Sequence, residues 1–177
     1  MAKLIFSVAY LVDGKKNRIW LGLKKARPLK RWREQLGVGL YNGFGGLQKT
    51  GEPIEVTARR ETEEECGVEV LSMEKCGVAL IRHDYDDKTV ELHFFLVTNY
   101  RGKPKETDEM IPVAFSRNKI PLKRMWPNDL FTLPLFLFGR KCLAIFTLNR
   151  ERQLTGLPRV KVVEVLPDTI EWEDYLL

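Results

Sequence analysis

The sequence predicts an α+β chain, a mixed β-sheet with a helix on each face. Three observations carry this reading. Runs rich in branched and aromatic residues recur along the chain and outnumber the helical stretches. Only two stretches read as helices, 53–66 and a short one within 125–141. Hydrophobic residues make up 44% of 177, enough for a core between layers. That length fits one domain over 1–177.

Residues 3–12 form the first strand. The apolar run after Lys3 resembles a short signal peptide, but it stops at Asp13 without a small-residue cleavage pattern and is too short to span a bilayer. DGKKN (13–17) is a turn into a second strand, 18–23. A basic loop, 24–39, follows, then a short strand running into a glycine-rich turn, 40–46. Pro53 suits the first turn of a helix and Gly67 its end. One or two strands cover 68–82, a hairpin turn 83–89 and a return strand 90–97. A polar loop (99–108) leads to an extended segment, 109–115. Pro134 falls in the first turn of the second helix, and 142–149 with 159–166 close the chain as a hairpin.

Lys and Arg number 29 against 24 Asp and Glu, a net charge of +5. This basic balance favours an anionic partner: a phosphorylated small molecule, nucleic acid or a membrane surface. Cys66, Cys76 and Cys142 form no CxxC pair and read as reduced thiols of a cytosolic or nuclear compartment. Having only His83 and His93 disfavours a His/Cys zinc site.

Against that basic background the helix 53–66 is acidic. At 100° per residue, Ile54, Ala58 and Thr62 line up as a narrow buried stripe. Glu61 and Glu65 lie in the row beside it and Glu64 just to the other side, so three carboxylates share one patch. Arg60 stands four before Glu64 and can pair with it, while Glu55, Arg59 and Glu63 point to water. Converging carboxylates repel unless protonated or bridged by a cation, and hard oxygen donors suit Mg²⁺ or Mn²⁺. Without further pattern, such a cluster is simply a solvated acidic face.

The further pattern is there. From Gly46 the order is G-x5-E-x7-R-E-x2-E-E-x-G-V, which resembles the box of the Nudix hydrolase family. Gly46, Glu52, Arg60, Glu61, Glu64, Glu65 and Gly67 fill its fixed positions, and Val68 its last aliphatic one. Thr62 departs from it, standing where an aliphatic is usual. The resemblance implies an α/β/α sandwich and catalysis by Glu52, Arg60, Glu61, Glu64 and Glu65. It places Glu61, Glu64 and Glu65 on Mg²⁺ (or Mn²⁺), with a Gly45 carbonyl beside them and Glu52 and Arg60 orienting the site.

Three flanking stretches, YNGFGG (41–46), ETDEMIPVAF (106–115) and IPLKRMWPNDLFTLPLFL (120–137), resemble the family's oxidised purine nucleoside triphosphate hydrolases. The likeness covers roughly 3–166 and leaves 167–177 as an acidic tail. It implies Mg²⁺-dependent hydrolysis of 8-oxo-dGTP or 2-oxo-dATP to monophosphate and pyrophosphate, sanitising the nucleotide pool against DNA damage. Glu109 becomes a fourth acid at the metals. Asn42 meets the purine edge, Lys24 lines the nucleotide pocket, Trp126 stacks on the base, and Asn128 and Asp129 read its polar edge. Ser7, Phe44, Gly45 and Gly46 join the substrate side. The implied enzyme is a cytoplasmic monomer, with nuclear or mitochondrial pools also open. Its partner is a small-molecule purine nucleoside triphosphate, not a membrane, and nucleic acid is disfavoured.

Departures accompany the likeness. Two adjacent acids are usual after Trp-Pro; here they are Asn128 and Asp129. Tyr41 stands where a Trp is usual, and the loop 26–40, with Arg27, Lys30, Arg31 and Arg33, is longer. The rival readings are a Nudix hydrolase acting on an RNA cap or ADP-ribose, and a catalytically silent nucleotide- or RNA-binding module.

Overall fold

The computed structural model describes residues 3–26, 37–167 and 170–175. Arg27, Lys30, Arg31 and Arg33 lie outside the described residues. In chain order the elements are β1 (Lys3–Asp13), β2 (Arg18–Lys24), β3 (Tyr41–Asn42), α1 (Ile54–Cys66), β4 (Glu69–His83), β5 (Thr89–Arg101), β6 (Met110–Ser116), α2 (Asp129–Leu137), β7 (Lys141–Leu148) and β8 (Arg159–Val163). The expected mixed sheet is present. β1 runs parallel to β5 and β4 parallel to β7, while the other pairings are antiparallel. The order is β3-β2-β1-β5-β4-β7-β8, with β6 on the free edge of β2.

The central strands are buried on both faces, so they read as continuous apolar runs. In β1, Ala9 and Leu11 join Phe95 and Val97 under α1, while Val8 and Tyr10 join Phe94 under α2. α1 seats Ile54, Ala58 and Cys66 on the first face; α2 seats Leu133 and Phe136 on the second. Phe136 presses so close to Gly77 that a Cβ there would lie 2.7 Å from its ring. Burying such a side chain stabilises the fold by about 1.5–3 kcal/mol. A third cluster, Val78, Leu80, Leu143 and Ile145, is covered by Trp172 of the C-terminal segment. No helix among the described residues is long and apolar enough to cross a membrane. Cys66, Cys76 and Cys142 are buried and free.

Four local expectations are corrected. Pro53 is the cap before α1, with extended ψ 145°, not a residue of its first turn. Gly67 ends the helix as expected, in the left-handed region at φ 69°, its N–H donating to the Glu63 carbonyl. Arg59 and Glu63 do not simply face water: the Arg59 guanidinium donates to the Val70 carbonyl, and Glu63 accepts the Val70 N–H at 2.9 Å. They clamp α1 to the start of β4. Pro134 is the sixth residue of α2, not in its first turn. The helix starts earlier, at Asp129, and in so short a helix a mid-helix proline removes a single N–H.

Candidate active site

β1 and β2 pair only at their turn end, Leu11 to Asp13 against Arg18 to Trp20. Beyond it they splay, and segment 41–47 is wedged between them. Tyr41 and Asn42 pair with β2, while Phe44 and Leu47 bridge to Ala9 and Phe6 of β1. The wedge fits only because glycines let backbones touch: a Cβ on Gly45 would collide with the Ser7 carbonyl. A Cβ on Gly46 would occupy the space of the Glu61 carboxylate. The Gly45–Gly46 turn therefore lies directly on the acidic row of α1.

Around that turn the charges are ordered. Arg60 forks onto Glu52, Nε to Oε1 and Nη2 to Oε2, both at 2.9 Å. Thr57 Oγ1 donates to the same carboxylate at 2.7 Å. The Arg60 bonds, then Thr57, hold the Glu52 carboxyl at a pKa of about 2. Arg60 is itself pushed further up, chiefly by Glu52. Its Nη1 also meets Glu61, and Glu64 at 3.4 Å.

Glu65 is the opposite case. It is 4% exposed, and burial, with Glu61 and Glu64 nearby, raises its pKa to about 8. The Gly45 N–H, donating to its Oε2 at 2.7 Å, and the charge of Lys24 oppose that rise. Glu109, at the start of β6, is brought to this end by Thr107, whose hydroxyl donates to the Glu65 carbonyl at 3.0 Å.

The sequence reading gathers Glu61, Glu64 and Glu65 on one patch. The structure brings Glu61 and Glu65 to the glycine turn but leaves the Glu64 side chain 60% exposed, drawn toward Arg60. Among the described residues no three acidic, histidine or cysteine side chains close into a cage. The donor set still fits a hard divalent cation. Two carboxylates one turn apart meet one glycine turn, and Glu65 carries the repulsion of Glu61 and Glu64.

A second cluster lies on the other side of the wedge. Tyr10, fully buried in β1, donates its hydroxyl to Asp129 Oδ1 at 2.7 Å. Asn128 Nδ2 meets the same oxygen at 3.2 Å. Burial drives the Asp129 carboxyl up to about 7, against the Tyr10 bond that lowers it. Its Oδ2 is buried and has no partner among the described residues. Gly43 of the wedge lies against Tyr10. Trp126, half-buried, packs against Gly37, whose turn holds the Lys24 backbone through Gly39.

Two substrate-side assignments change. The Phe44 side chain is fully buried in the core under α1, so only its backbone borders the cleft. Ser7 is 1% exposed, and its hydroxyl supports the Gly46 N–H at 3.5 Å. Two polar contributors escaped sequence reasoning, Thr57 under Glu52 and Tyr10 on Asp129. A tyrosine inside an apolar strand is the signal for the second, because its hydroxyl needs a buried partner.

The wedge sets the acidic helix row against a mixed sheet covered by a helix on each face, with donors for a hard divalent cation at the glycine turn. The NUDIX domain pattern matches residues 3–136, and the chain belongs to the Nudix hydrolase family. Members of this family generally use divalent metal ions. An oxidized purine nucleoside triphosphate hydrolase of Danio rerio is 39% identical over 145 residues, 82% of this chain and 86% of that protein. Its counterpart in Mus musculus is 35% identical over 124 residues, covering 70% and 74%. An 8-oxo-dGTP diphosphatase of Proteus vulgaris is 30% identical over 105 residues, 59% of this chain and 85% of that one. Among solved structures, a mutator MutT protein of Bacillus halodurans superposes with a TM-score of 0.74 at 21% identity, over 89% of this chain and 97% of that one. That likeness establishes the fold.

Proposed function

We propose that this Nudix hydrolase cleaves oxidised purine nucleoside triphosphates, such as 8-oxo-dGTP or 2-oxo-dATP, to the monophosphate and pyrophosphate. The observation that carries the substrate reading is the buried Asp129 carboxyl. One of its oxygens is held by Tyr10 and the other is left without a protein partner. A buried polar atom of this kind costs free energy unless a ligand satisfies it. With a pKa of about 7 it can donate or accept at a purine edge. The relatives named for oxidised purines support the same substrate.

Trp126 offers a base-stacking surface, worth roughly 1–3 kcal/mol. Asn42 and Asn128 supply fixed donors and acceptors, and a site built on them rejects a base that leaves them unpaired. Because Asn128 cannot change protonation, we propose a narrower range of oxidised purines than a two-acid pocket accepts. Equal turnover of 8-oxo-dGTP and 2-oxo-dATP is the result that overturns this.

Glu61, Glu64 and Glu65, with Glu109 and the Gly45 carbonyl, would hold Mg²⁺ (Mn²⁺ serving also), which supplies charge neutralisation at the phosphate oxygens when bound. Glu64, the most exposed of the row, or Glu61 takes the proton of the attacking water. Glu52 and Arg60 hold the row in place. Lys24, facing Glu65, adds a cation on the phosphate side. The protein acts on a small-molecule nucleotide as a monomer of the nucleotide-containing cytoplasm.

The test is pyrophosphate release with Mg²⁺ from 8-oxo-dGTP, 2-oxo-dATP and dGTP, for the parent and Glu65→Gln. Strong preference for an oxidised purine, lost in Glu65→Gln, supports the reading. No turnover of any of the three moves the substrate to capped RNA or ADP-ribose.

A further inference from the structure

Arg152 lies on the loop between β7 and β8, far in sequence from the residues described above. Among the described residues only two non-glycines have left-handed backbones, Asn17 at φ 49° and Arg152 at φ 63°. Asparagine tolerates that region; arginine has no short polar side chain to offset the crowding of its Cβ. The turn nonetheless holds Arg152 there firmly. Its N–H donates to the Asn149 carbonyl at 3.0 Å, and the Asn149 N–H donates to the Gln153 carbonyl at 3.0 Å. Asn149 Oδ1 accepts the Gln153 N–H at 2.8 Å, and Leu148 bridges to Leu154.

Glycine would sit in this turn without strain, so the arginine side chain is what needs explaining. It is exposed, yet its guanidinium lies over Trp126, 5.5 Å from the ring centroid. Trp126 therefore touches three separate parts of the chain: its own segment after Met125, the Gly37 turn and the Arg152 loop. A cation over one face of an indole holds the ring by electrostatic attraction. It also draws π density toward itself and makes the opposite face a better partner for an electron-rich ring.

We propose that Arg152 is a positioning residue for nucleotide binding, setting the plane and polarisation of Trp126 so that an electron-rich oxidised purine stacks on it. The inference rests on the reading of Trp126 as the base-stacking surface. Arg152 touches neither the phosphates nor the reacting atoms; it acts on KM and base preference through the indole.

Three full-length variants test it, R152G, R152A and R152K, each assayed against 8-oxo-dGTP and dGTP. R152G removes both the guanidinium and the backbone strain. The expected result is an unchanged or higher Tm, an unchanged kcat, and a KM for 8-oxo-dGTP raised roughly two- to five-fold, the ratio an exposed cation–π contact carries. R152A, which keeps the strained backbone, has the same KM at a lower Tm than R152G, and R152K recovers part of the KM. The indole N–H resonance of Trp126, assigned by its loss in W126F, shifts in R152G even without nucleotide. An R152G enzyme with unaltered KM beside an active parent overturns this inference alone. A parent that turns over no oxidised purine overturns it together with the substrate reading. A KM that follows Tm across the three variants, with an unmoved Trp126 resonance, shows a structural role only and also overturns it.

Discussion

The two sides of the wedge handle charge in opposite ways. At the acidic side, Glu52 remains a carboxylate at a pKa of about 2, because Arg60 and Thr57 hold it. At the base side, Asp129 is buried and sits at about 7, because burial outweighs its Tyr10 bond. One side keeps fixed charge; the other keeps a proton near neutrality. Glu65 belongs to the acidic side yet shares the burial of the other, and burial, ahead of the charges of Glu61 and Glu64, raises its pKa to about 8. The two sides meet at the 41–47 wedge, one through Gly45 and Gly46, the other through Gly43.

Removing one carboxylate from the acidic row breaks this division most severely. Glu65→Gln keeps the shape and the Gly45 contact but can no longer ionise. Turnover of the oxidised purine triphosphate is expected to fall on the order of 10³-fold with KM little changed, since metal-assisted stabilisation is worth several kcal/mol. Steady-state kinetics decide it, and a variant within ten-fold of the parent would remove Glu65 from the machinery. Asp129→Ala should act on the other side. It costs a charge-assisted or buried hydrogen bond, on the order of 10²-fold in kcat/KM for the oxidised purine and far less for dGTP. Equal losses on both substrates would show that Asp129 supports the fold but does not read the base.

That contrast also explains what the sequence disclosed. The acidic side is written in one continuous stretch, Gly46 to Val68, where helical spacing turns order into geometry. Its buried stripe, its Arg60–Glu64 pair and its glycine end were all legible. The bidentate grip of Arg60 on Glu52 was foreseen only as a role, because the pair joins a loop to a helix. The base side is assembled from chain segments that spacing cannot connect. Tyr10 and Asp129 are 119 residues apart, and Asp129 was reached only through family likeness. A glycine-rich stretch does not reveal which of its side chains turns inward; the wedge puts the Phe44 side chain in the core. Proline chemistry places Pro134 in a first turn, and no spacing rule shows that Asp129 can begin the helix five residues before it.

Arg60→Ala sharpens the comparison from the acidic side with a smaller effect. The guanidinium orders Glu52, Glu61 and Glu64. Loss of such a supporting group lowers activity roughly ten- to a hundred-fold. Arg60→Lys should rescue little, because a single ammonium cannot reproduce the two-bond grip on Glu52. Full activity in Arg60→Lys would mean that charge alone, not the forked geometry, orders the row.

The finest test is pH. In the folded protein Asp129 holds its proton up to about 7, while in the unfolded chain it releases it near its ordinary 3.8. Between those values the folded state binds more protons than the unfolded state. Stability contributed by this group is therefore complete below about pH 4 and declines as pH rises toward 7, by at most about 1.4 kcal/mol per pH unit. Asp129→Asn carries no titrating group, so its unfolding free energy should fall less steeply than the parent's across that window. Denaturant unfolding at several pH values from 4 to 7 measures the difference in slope. Tyr10→Phe removes the bond that lowers the Asp129 pKa, so the window should extend upward, and the KM transition for the oxidised purine should move to higher pH with it. Parallel slopes for the parent and Asp129→Asn would place the proton elsewhere and dissolve the contrast between a charged side and a protonated one.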